Sequence, residues 1–532
     1  MAFLVPIVQR ILAQDPSLAN KNRVKRARSD DIRAIIISPT RELAEQIAVE
    51  AQKLVRNTSI KVQTAVGGTM KSMMLRETQR DGCHVLVATP GRLADLLEDS
   101  TSRIDAPGLQ ALVLDEADRM LEQGFQNELD NIVAMLPDPK DVPRQTLLFS
   151  ATIPRNVIGL ARTYINENNF EFVQTINPDD VPTHESVPQH IVPCVSFANL
   201  HATLLELIRR EAKNASSIPG SQPFKAIVFM PTTTTVVMMA SVFQRLGFHD
   251  KSLPPVFDIH SKLTQAQRTN SANRFRKATS AILFSSDVTA RGMDFPNVTH
   301  VIQMHLPTTR DQYIHRLGRT GRAGKEGQGW LIVGSMELEL ARKRLGGLPI
   351  KRNTELTCAT VDVAQNQDLP QQFADMKRAI SVLPAHITSD AYRSYFGGGF
   401  QGLDIQEVVD QANEMALHGW GLPEQPAVSE KMARTTQVRG LRIEESHQGR
   451  NPLTRYIGRG RGGFDRTGGR GGDAFDRMGD RGYDRSDRMG GRGGNRMGSR
   501  SGSRMGNRGD FGNSRGFDRN SEDFSGRSNG MF

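Results

Sequence analysis

Short runs of aliphatic and β-branched residues recur along most of the chain, and longer stretches with apolar positions three or four apart follow them. Runs of four to six apolar residues bounded by turn residues are typical of buried strands, whereas the second pattern indicates amphipathic helices. Strands that alternate with helices in this way predict a parallel sheet covered by helices. The sequence therefore predicts an α/β fold.

The predicted strands form two series of five, separated by a polar segment. The first series is AIIIS, KVQTAV, HVLVAT, ALVLD and TLLFS, and the second is AIVFM, VFDIH, AILFSS, HVIQM and WLIVG. The polar stretch NPDDVPTHESVPQH between them is typical of a linker. We therefore expect two tandem α/β domains, at 1–168 and 190–345, joined by a linker at 169–189.

The pattern changes twice beyond the second series. Strand signals fade from 346 to 448, where FADMKRAISVLP and IQEVVDQANEMAL predict a smaller helical extension. From 449 to 532 the chain repeats arginine and glycine with scattered phenylalanine and tyrosine. Such a segment buries too little apolar surface to offset its ordering entropy, so we expect a disordered tail.

Charge separates the tail from the body. The 532-residue chain carries a net charge of +10, and the tail from 449 onward holds 18 arginines and 10 acidic residues, a net of +8. Arginine among glycine and aromatic residues predicts an RNA-binding tail that acts as an electrostatic tether. The body has no apolar run long enough to cross a membrane, so no membrane partner is expected. Its three cysteines lie far apart, which favours a reducing compartment.

Polar motifs follow the predicted strands, where ligands collect in parallel α/β sheets. PTRELA, GG, TPGR, DEAD and SAT follow strands of the first series, and QAQR, SSDVTARGMD and HRLGRTGR lie in the second. From residue 39 to residue 322 this ordered series resembles the DEAD-box RNA helicases of superfamily 2. The resemblance implies two RecA-like domains, ATP and Mg²⁺ as cofactors, RNA as partner, and ATP-driven domain closure that unwinds short RNA duplexes.

The DEAD tetrapeptide follows a strand and precedes a helix. Acidic residues there could simply complement the positive end of the helix dipole. In a nucleotide hydrolase, however, a strand-end aspartate is needed to hold Mg²⁺ and a neighbouring acid can orient the attacking water. The resemblance implies that Asp115 serves the metal through water, that Glu116 is the general base, and that Asp118 links to the SAT motif, Ser150 and Thr152.

The HRLGRTGR motif places His315, Arg319 and Arg322 on one helical face, at i, i+4 and i+7. A solvated basic face is the ordinary explanation of such spacing, but two arginines together also suit a γ-phosphate in its transition state. The resemblance implies that the two arginines are arginine fingers and that His315 helps to join nucleotide and domain. It also places Gly292 and Asp294 at the nucleotide.

The remaining strand-end loops are the expected RNA contacts. Glycines permit close approach of a phosphate, and hydroxyl or cationic side chains can bind it, although glycine turns are also common for structural reasons. The resemblance implies RNA-binding positions at Pro39, Thr40, Arg41, Gly67, Gly68, Thr89, Pro90, Gly91, Arg92, Arg268, Ser286 and Thr289. No aromatic residues interleave these loops, so we expect recognition of the RNA backbone with little sequence specificity.

The amino-terminal stretch MAFLVPIVQRIL has the periodicity of a helix with one buried face. It resembles the helix that follows the family's Gly-Lys-Thr phosphate loop, and that loop does not occur in the sequence. We therefore expect the sequence to be truncated at its amino terminus and, as it stands, to hydrolyse no ATP. The alternative is a non-hydrolysing RNA-binding protein that begins at Met1.

Within the family, FEFVQTINPDD, the helical extension and the arginine-rich tail look most like the fungal mitochondrial helicases that assist intron splicing. The resemblance implies a monomeric ATP-dependent RNA helicase and RNA chaperone of the mitochondrial matrix, in RNA splicing or processing. Cytoplasm and nucleus or nucleolus remain the alternative locations.

Overall fold

Two all-parallel β-sheets organise the body of the protein. The computed structural model describes residues 2–21, 27–150, 155–165, 170–174, 186–289, 293–321, 326–397, 400 and 402–444. The predicted tail therefore lies outside the described residues. Across the described part, no helix combines the length and the apolar character that crossing a membrane would require.

The first sheet has five strands in the order β2-β3-β1-β4-β5. Its strands are β1 Ala34–Ile37, β2 Val62–Ala65, β3 Val85–Ala88, β4 Ala111–Leu114 and β5 Gln145–Leu148. The three central strands are buried at every position, which explains their unbroken apolar sequences. The helices around this sheet are α1 Leu4–Gln14, α2 Arg41–Val55, α3 Lys71–Asp81, α4 Pro90–Glu98, α5 Ala117–Glu122, α6 Gln126–Met135 and α7 Arg155–Tyr164.

The second sheet has seven strands in the order β12-β6-β11-β10-β7-β9-β8. Its strands are β6 Gln189–Cys194, β7 Lys225–Phe229, β8 Val256–Ile259, β9 Ala281–Ser285, β10 His300–Met304, β11 Gln328–Gly334 and β12 Ile350–Arg352. The helices around it are α8 Leu200–Ser217, α9 Thr233–His249, α10 Gln265–Lys277, α11 Arg310–Leu317 and α12 Leu338–Arg344. Strands β6 and β12 were not among the predicted strands.

Beyond the second sheet the chain is helical, as predicted. The helices are α13 Thr357–Thr360, α14 Gln371–Ser381, α15 Ala385–Arg393, α16 Ile405–Glu414 and α17 Glu430–Thr436. This extension shares one apolar core with the second sheet, in which Phe373, Tyr392 and Trp420 pack against residues of α8 and α9. The extension is therefore built onto the second sheet rather than attached as a separate module.

Candidate functional site

Strand-end loops of both sheets border one cleft of about 470 Å³. From the first sheet it is lined by Pro39, Thr40, Arg41, Glu42, Arg119 and Gln123. From the second it is lined by Pro231, Thr232, Thr233, Ser261, Arg268, Ser286 and Asp287. Five of the predicted RNA-binding residues thus meet at one place: Pro39, Thr40, Arg41, Arg268 and Ser286.

An ion pair joins the two sides of this cleft. Arg268 Nη1 lies 2.7 Å from Glu42 Oε1, and both side chains are almost fully buried. Next to it, the hydroxyl of Thr269 donates to Glu45 Oε2 at 3.2 Å. A buried ion pair needs close geometry to offset its desolvation, so this contact fixes the approach of α10 to α2 closely.

Arg41 lies against the glycine pair Gly67 and Gly68. A Cβ at Gly68 would stand 2.1 Å from Arg41 Nη1, and one at Gly67 would stand 2.9 Å from Nη2. Gly68 also has φ of +76°, which side chains rarely adopt. Burial lowers the pKa of the Arg41 guanidinium, and the neighbouring Arg268 acts in the same direction. The glycines thus make room for an arginine that faces the cleft.

The start of α4 is the second candidate phosphate contact on the first sheet. Thr89 precedes this helix without capping it through its side chain, and Pro90 is its first residue. A Cβ at Gly91 would meet nothing within 4 Å. Arg92 donates through Nη2 to the carbonyl of Thr69 at 3.1 Å, which ties this turn to the glycine loop. Thr89 and Pro90 are buried and Gly91 is exposed, so the helix start offers a phosphate access at Gly91.

Two other predicted RNA contacts also serve the fold. Thr40 caps α2, because its hydroxyl accepts a hydrogen bond from the Leu43 amide. Thr289 is fully buried, and its hydroxyl donates to Ser285 Oγ at 2.7 Å. Thr289 thus does not face the cleft in this conformation, whereas Ser286 is half-buried and lines it.

The DEAD residues occupy a tight turn at the carboxyl end of β4. Burial raises the pKa of Asp115 to about 6, although a hydrogen bond from the Glu116 amide opposes the shift. Glu116 adopts φ of 57°, a left-handed conformation that costs a residue other than glycine about 1 kcal/mol or more. The Ala117 amide donates to the carbonyl of Phe149 at 3.0 Å, so the turn is bonded to the residue before Ser150.

His315 connects the second sheet with this turn. Its Nε2 lies 4.0 Å from Asp118 Oδ2, and both side chains are buried. Arg319, just beyond α11, donates to the carbonyls of Met293 at 2.8 Å and His315 at 3.3 Å. Asp294 is exposed, and its amide donates to Gln46 Oε1 of α2 at 3.2 Å. The predicted Thr152, Gly292 and Arg322 lie outside the described residues.

The donor set around Asp115 fits a magnesium ion that is only partly bound by protein. In the described part of the chain, no group of three or more His, Cys, Asp or Glu side chains could hold a metal ion. Magnesium commonly keeps several waters and binds one or two carboxylates plus substrate phosphates. A buried carboxylate with a raised pKa suits such an ion, because the cation offsets the burial of the negative charge.

Several cleft residues were missed by sequence reasoning. Arg119, Gln123, Thr233 and Asp287 lie in or beside recognised motifs, but the motifs alone did not mark them as lining residues. Asp287 accepts hydrogen bonds from Gln312 at 2.6 Å and Arg316 at 2.8 Å. Burial acts to raise the pKa of Asp287, but the charge and hydrogen bond of Arg316, together with Arg119 and Gln312, outweigh it, and the pKa lies below its ordinary value.

The strand-end loops of two parallel-sheet domains meet across a cleft, and His315 of the second domain approaches the acidic turn of the first. This arrangement is typical of a nucleotide-dependent nucleic-acid motor. The family model for the DEAD/DEAH box helicase matches residues 1–160, and the helicase conserved C-terminal domain matches residues 205–324. The chain belongs to the DEAD-box family of ATP-dependent RNA helicases, as its motifs predicted.

Two curated relatives are mitochondrial helicases. The ATP-dependent RNA helicase cyt-19, mitochondrial, of Neurospora crassa is 58% identical over 455 residues, which cover 85% of this chain and 73% of that protein. The ATP-dependent RNA helicase mss116, mitochondrial, of Aspergillus fumigatus is 46% identical over 459 residues, which cover 83% and 70%. These relatives confirm the predicted mitochondrial location.

The structure of Mss116p bound to ssRNA and AMP-PNP matches this fold with a TM-score of 0.68 and 28% identity. The match covers 82% of this chain and 83% of that one. It confirms the predicted fold class, two parallel-sheet domains followed by a helical part.

Proposed function

We propose that this helicase unwinds short RNA duplexes by ATP-driven closure of its two domains, and that it acts as an RNA chaperone in mitochondrial splicing or processing. The approach of His315 to Asp118, 4.0 Å across the two domains, carries the proposal. Because motifs from both domains meet there, a nucleotide that binds one domain can bias its contact with the other.

In this mechanism the residues of the chain have separate roles. Asp115 would hold Mg²⁺ through water, and the bound ion would neutralise phosphate charge. Glu116 orients the attacking water and takes its proton. Arg319 and Arg322 would approach the γ-phosphate from the second domain, so that the transition-state charge would be met only after closure.

RNA would lie across the cleft, and the cleft residues would contact the RNA phosphates without sequence selection. The arginines Arg41 and Arg268, the half-buried Ser286 and the open turn at Gly91 support this role. The relative's structure holds ssRNA and AMP-PNP, which supports the same pair of ligands here. We infer a monomeric motor, with the arginine-rich tail as a tether to RNA.

The test is strand separation of a short RNA duplex by the full-length protein with ATP or AMP-PNP. We expect separation to turn over only with ATP. Arg319→Ala should lower turnover about 10³-fold, the scale of a lost arginine finger, with a small change in melting temperature. Arg310→Ala is the matched control, because Arg310 also donates to a main-chain carbonyl, that of Gly346.

Retained turnover in Arg319→Ala would contradict the assigned role. Multiple rounds of separation with AMP-PNP would refute ATP-driven unwinding. RNA binding that does not depend on ATP would instead favour the alternative of a non-hydrolysing RNA-binding protein.

A further inference from the structure

A short turn of the helical extension contacts the second domain at two places. The turn, Ser394–Phe396, follows α15, and Tyr395 and Phe396 are buried in it. The side chains of Ser394 and Tyr395 reach different parts of the domain. One reaches the cleft. The other reaches the end of β10, the strand before α11, which leads to Arg319 and is here called the arginine helix.

Ser394 contacts the cleft loop through Thr232. The two hydroxyl oxygens lie 2.8 Å apart, and Ser394 also donates to the carbonyl of Ala391 at 2.7 Å. Since a serine hydroxyl has one proton, which Ser394 donates to Ala391, Ser394 accepts a hydrogen bond from the Thr232 hydroxyl. Thr232 in turn caps α9 in a capping box with Thr235. Ser394 therefore fixes the hydroxyl of a residue that lines the cleft.

Tyr395 contacts the end of β10 through His305. The hydroxyl of Tyr395 lies 3.2 Å from His305 Nε2, and His305 Nδ1 lies 3.0 Å from Glu337 Oε2. A carboxylate can only accept, so Nδ1 carries the proton and Nε2 accepts from Tyr395. Burial raises the pKa of Tyr395, which keeps its hydroxyl protonated. The three groups form a directed chain of hydrogen bonds.

His305 is placed where it can set the direction of the following segment. It adopts φ of 64°, and the rings of Phe197 and Phe400 surround it at 4.7 and 4.9 Å between centroids. The next amide, that of Leu306, donates to Glu337 at 2.8 Å. Three residues further on, Thr309 caps α11, the helix that carries His315 and leads to Arg319.

We propose that Ser394 and Tyr395 are positioning residues that couple the cleft to the arginine helix, an inference that rests on the proposed function of both. The turn contacts Thr232, which lines the cleft, and His305, which precedes α11. Because the two side chains are adjacent on one short turn, a shift of the cleft loop is linked to a shift of α11. The extension thereby takes part in RNA stimulation of ATP hydrolysis, and does not only complete the core.

The experiment compares Ser394→Ala, Tyr395→Phe and the double variant in the full-length protein, by RNA-stimulated ATP hydrolysis and melting temperature. Tyr395→Phe should lower kcat at saturating RNA about fivefold or more, the lower range of coupling between sites, with little change in KM for RNA. Ser394→Ala should raise KM for RNA by a similar factor and leave kcat near wild type. The two effects should combine non-additively.

Each variant has a matched control within the extension. Tyr392 is a buried tyrosine whose hydroxyl donates to Asn413 at 2.5 Å, and Ser381 donates to the carbonyl of Arg378 at 3.0 Å, three residues back as in Ser394. Tyr392→Phe and Ser381→Ala should lower the melting temperature comparably but leave both kinetic constants unchanged.

The outcomes separate the two proposals. If Tyr395→Phe and Ser394→Ala match their controls in kinetics while Arg319→Ala is inactive, the coupling is refuted and the proposed function stands. If the wild-type protein shows no RNA-stimulated hydrolysis, the proposed function fails and the coupling fails with it.

Discussion

At the residue scale, glycines in the strand-end loops serve two different purposes. Gly68 is crowded by Arg41 and has a positive φ, so the fold itself requires it. Gly91 lies at the start of α4 with nothing within 4 Å of its missing Cβ. The fold does not require glycine at position 91. A ligand that approaches the start of α4 would require it, because a side chain there would block the approach.

Gly91→Ala should therefore separate stability from RNA binding. Alanine in a helix is favoured over glycine by about 1 kcal/mol, so the melting temperature should rise slightly. The added methyl would obstruct a phosphate at the amide groups, so the affinity for single-stranded RNA should fall about tenfold, as for a lost charge-assisted contact. Gly108→Ala is the control, because its Cβ also meets nothing. Unchanged affinity in Gly91→Ala would remove this turn from the RNA site.

The positions of site residues were predictable where a motif names them, but not where tertiary packing decides which side chains meet. The DEAD and HRLGRTGR motifs led to Asp118 and His315, which the structure brings within 4.0 Å. By contrast, Thr289 matched an RNA-binding position, yet its hydroxyl is buried against Ser285. Glu42 was not singled out, because its partner Arg268 is distant in sequence and only the tertiary fold brings the two together.

At the scale of elements, burial explains which strands could be found. The strands β1, β3, β4, β7, β9 and β10 are buried throughout, so each is rich in apolar residues, and only in β10 does a polar residue, Gln303, interrupt the run. Strand β6 is buried at only some positions and contains Pro193, so its sequence resembled a linker. Strand β12 is a three-residue edge strand, Ile350–Arg352, with two exposed basic residues and no apolar run.

The face of α2 that meets the second domain leads to a prediction about pH. Burial raises the pKa of Glu45, which accepts from Thr269. Because the pKa of Glu45 is raised, its protonated form favours the folded state. This contribution to the free energy of unfolding is complete below the ordinary glutamate pKa and is lost as the pH rises through the higher pKa of the folded state. At neutral pH the charge of Glu45 therefore opposes the contact between the domains.

Glu45→Gln removes this charge and keeps an acceptor for Thr269, so it should raise the free energy of unfolding at pH 7 by up to about 1 kcal/mol. Thermal unfolding across a pH series measures the effect, and the gain over wild type should shrink as the pH falls towards the ordinary glutamate pKa. Glu50→Gln is the control, since Glu50 lies on the same helix in an exposed pair with Lys53. A gain that does not depend on pH would argue against titration of Glu45.

At the scale of the whole molecule, most of the net positive charge lies in the tail and little of it lies in the body. The tail from 449 to 532 carries a net charge of +8 out of +10, although it lies outside the described residues. The cleft contributes few arginines, and Arg268 is already paired with Glu42. Most of the salt-dependent attraction for RNA should therefore come from the tail.

Deletion of 449–532 should flatten the dependence of RNA affinity on salt. Each phosphate neutralised on single-stranded RNA contributes about −0.7 to the slope of log affinity against log salt, so the slope should fall by several units. ATP hydrolysis of the deletion variant at saturating RNA should stay near wild type. Replacing every tail arginine by lysine is the matched control, because it keeps the charge. If that replacement weakens binding as much as the deletion does, the tail recognises RNA through guanidinium groups and is not an electrostatic tether.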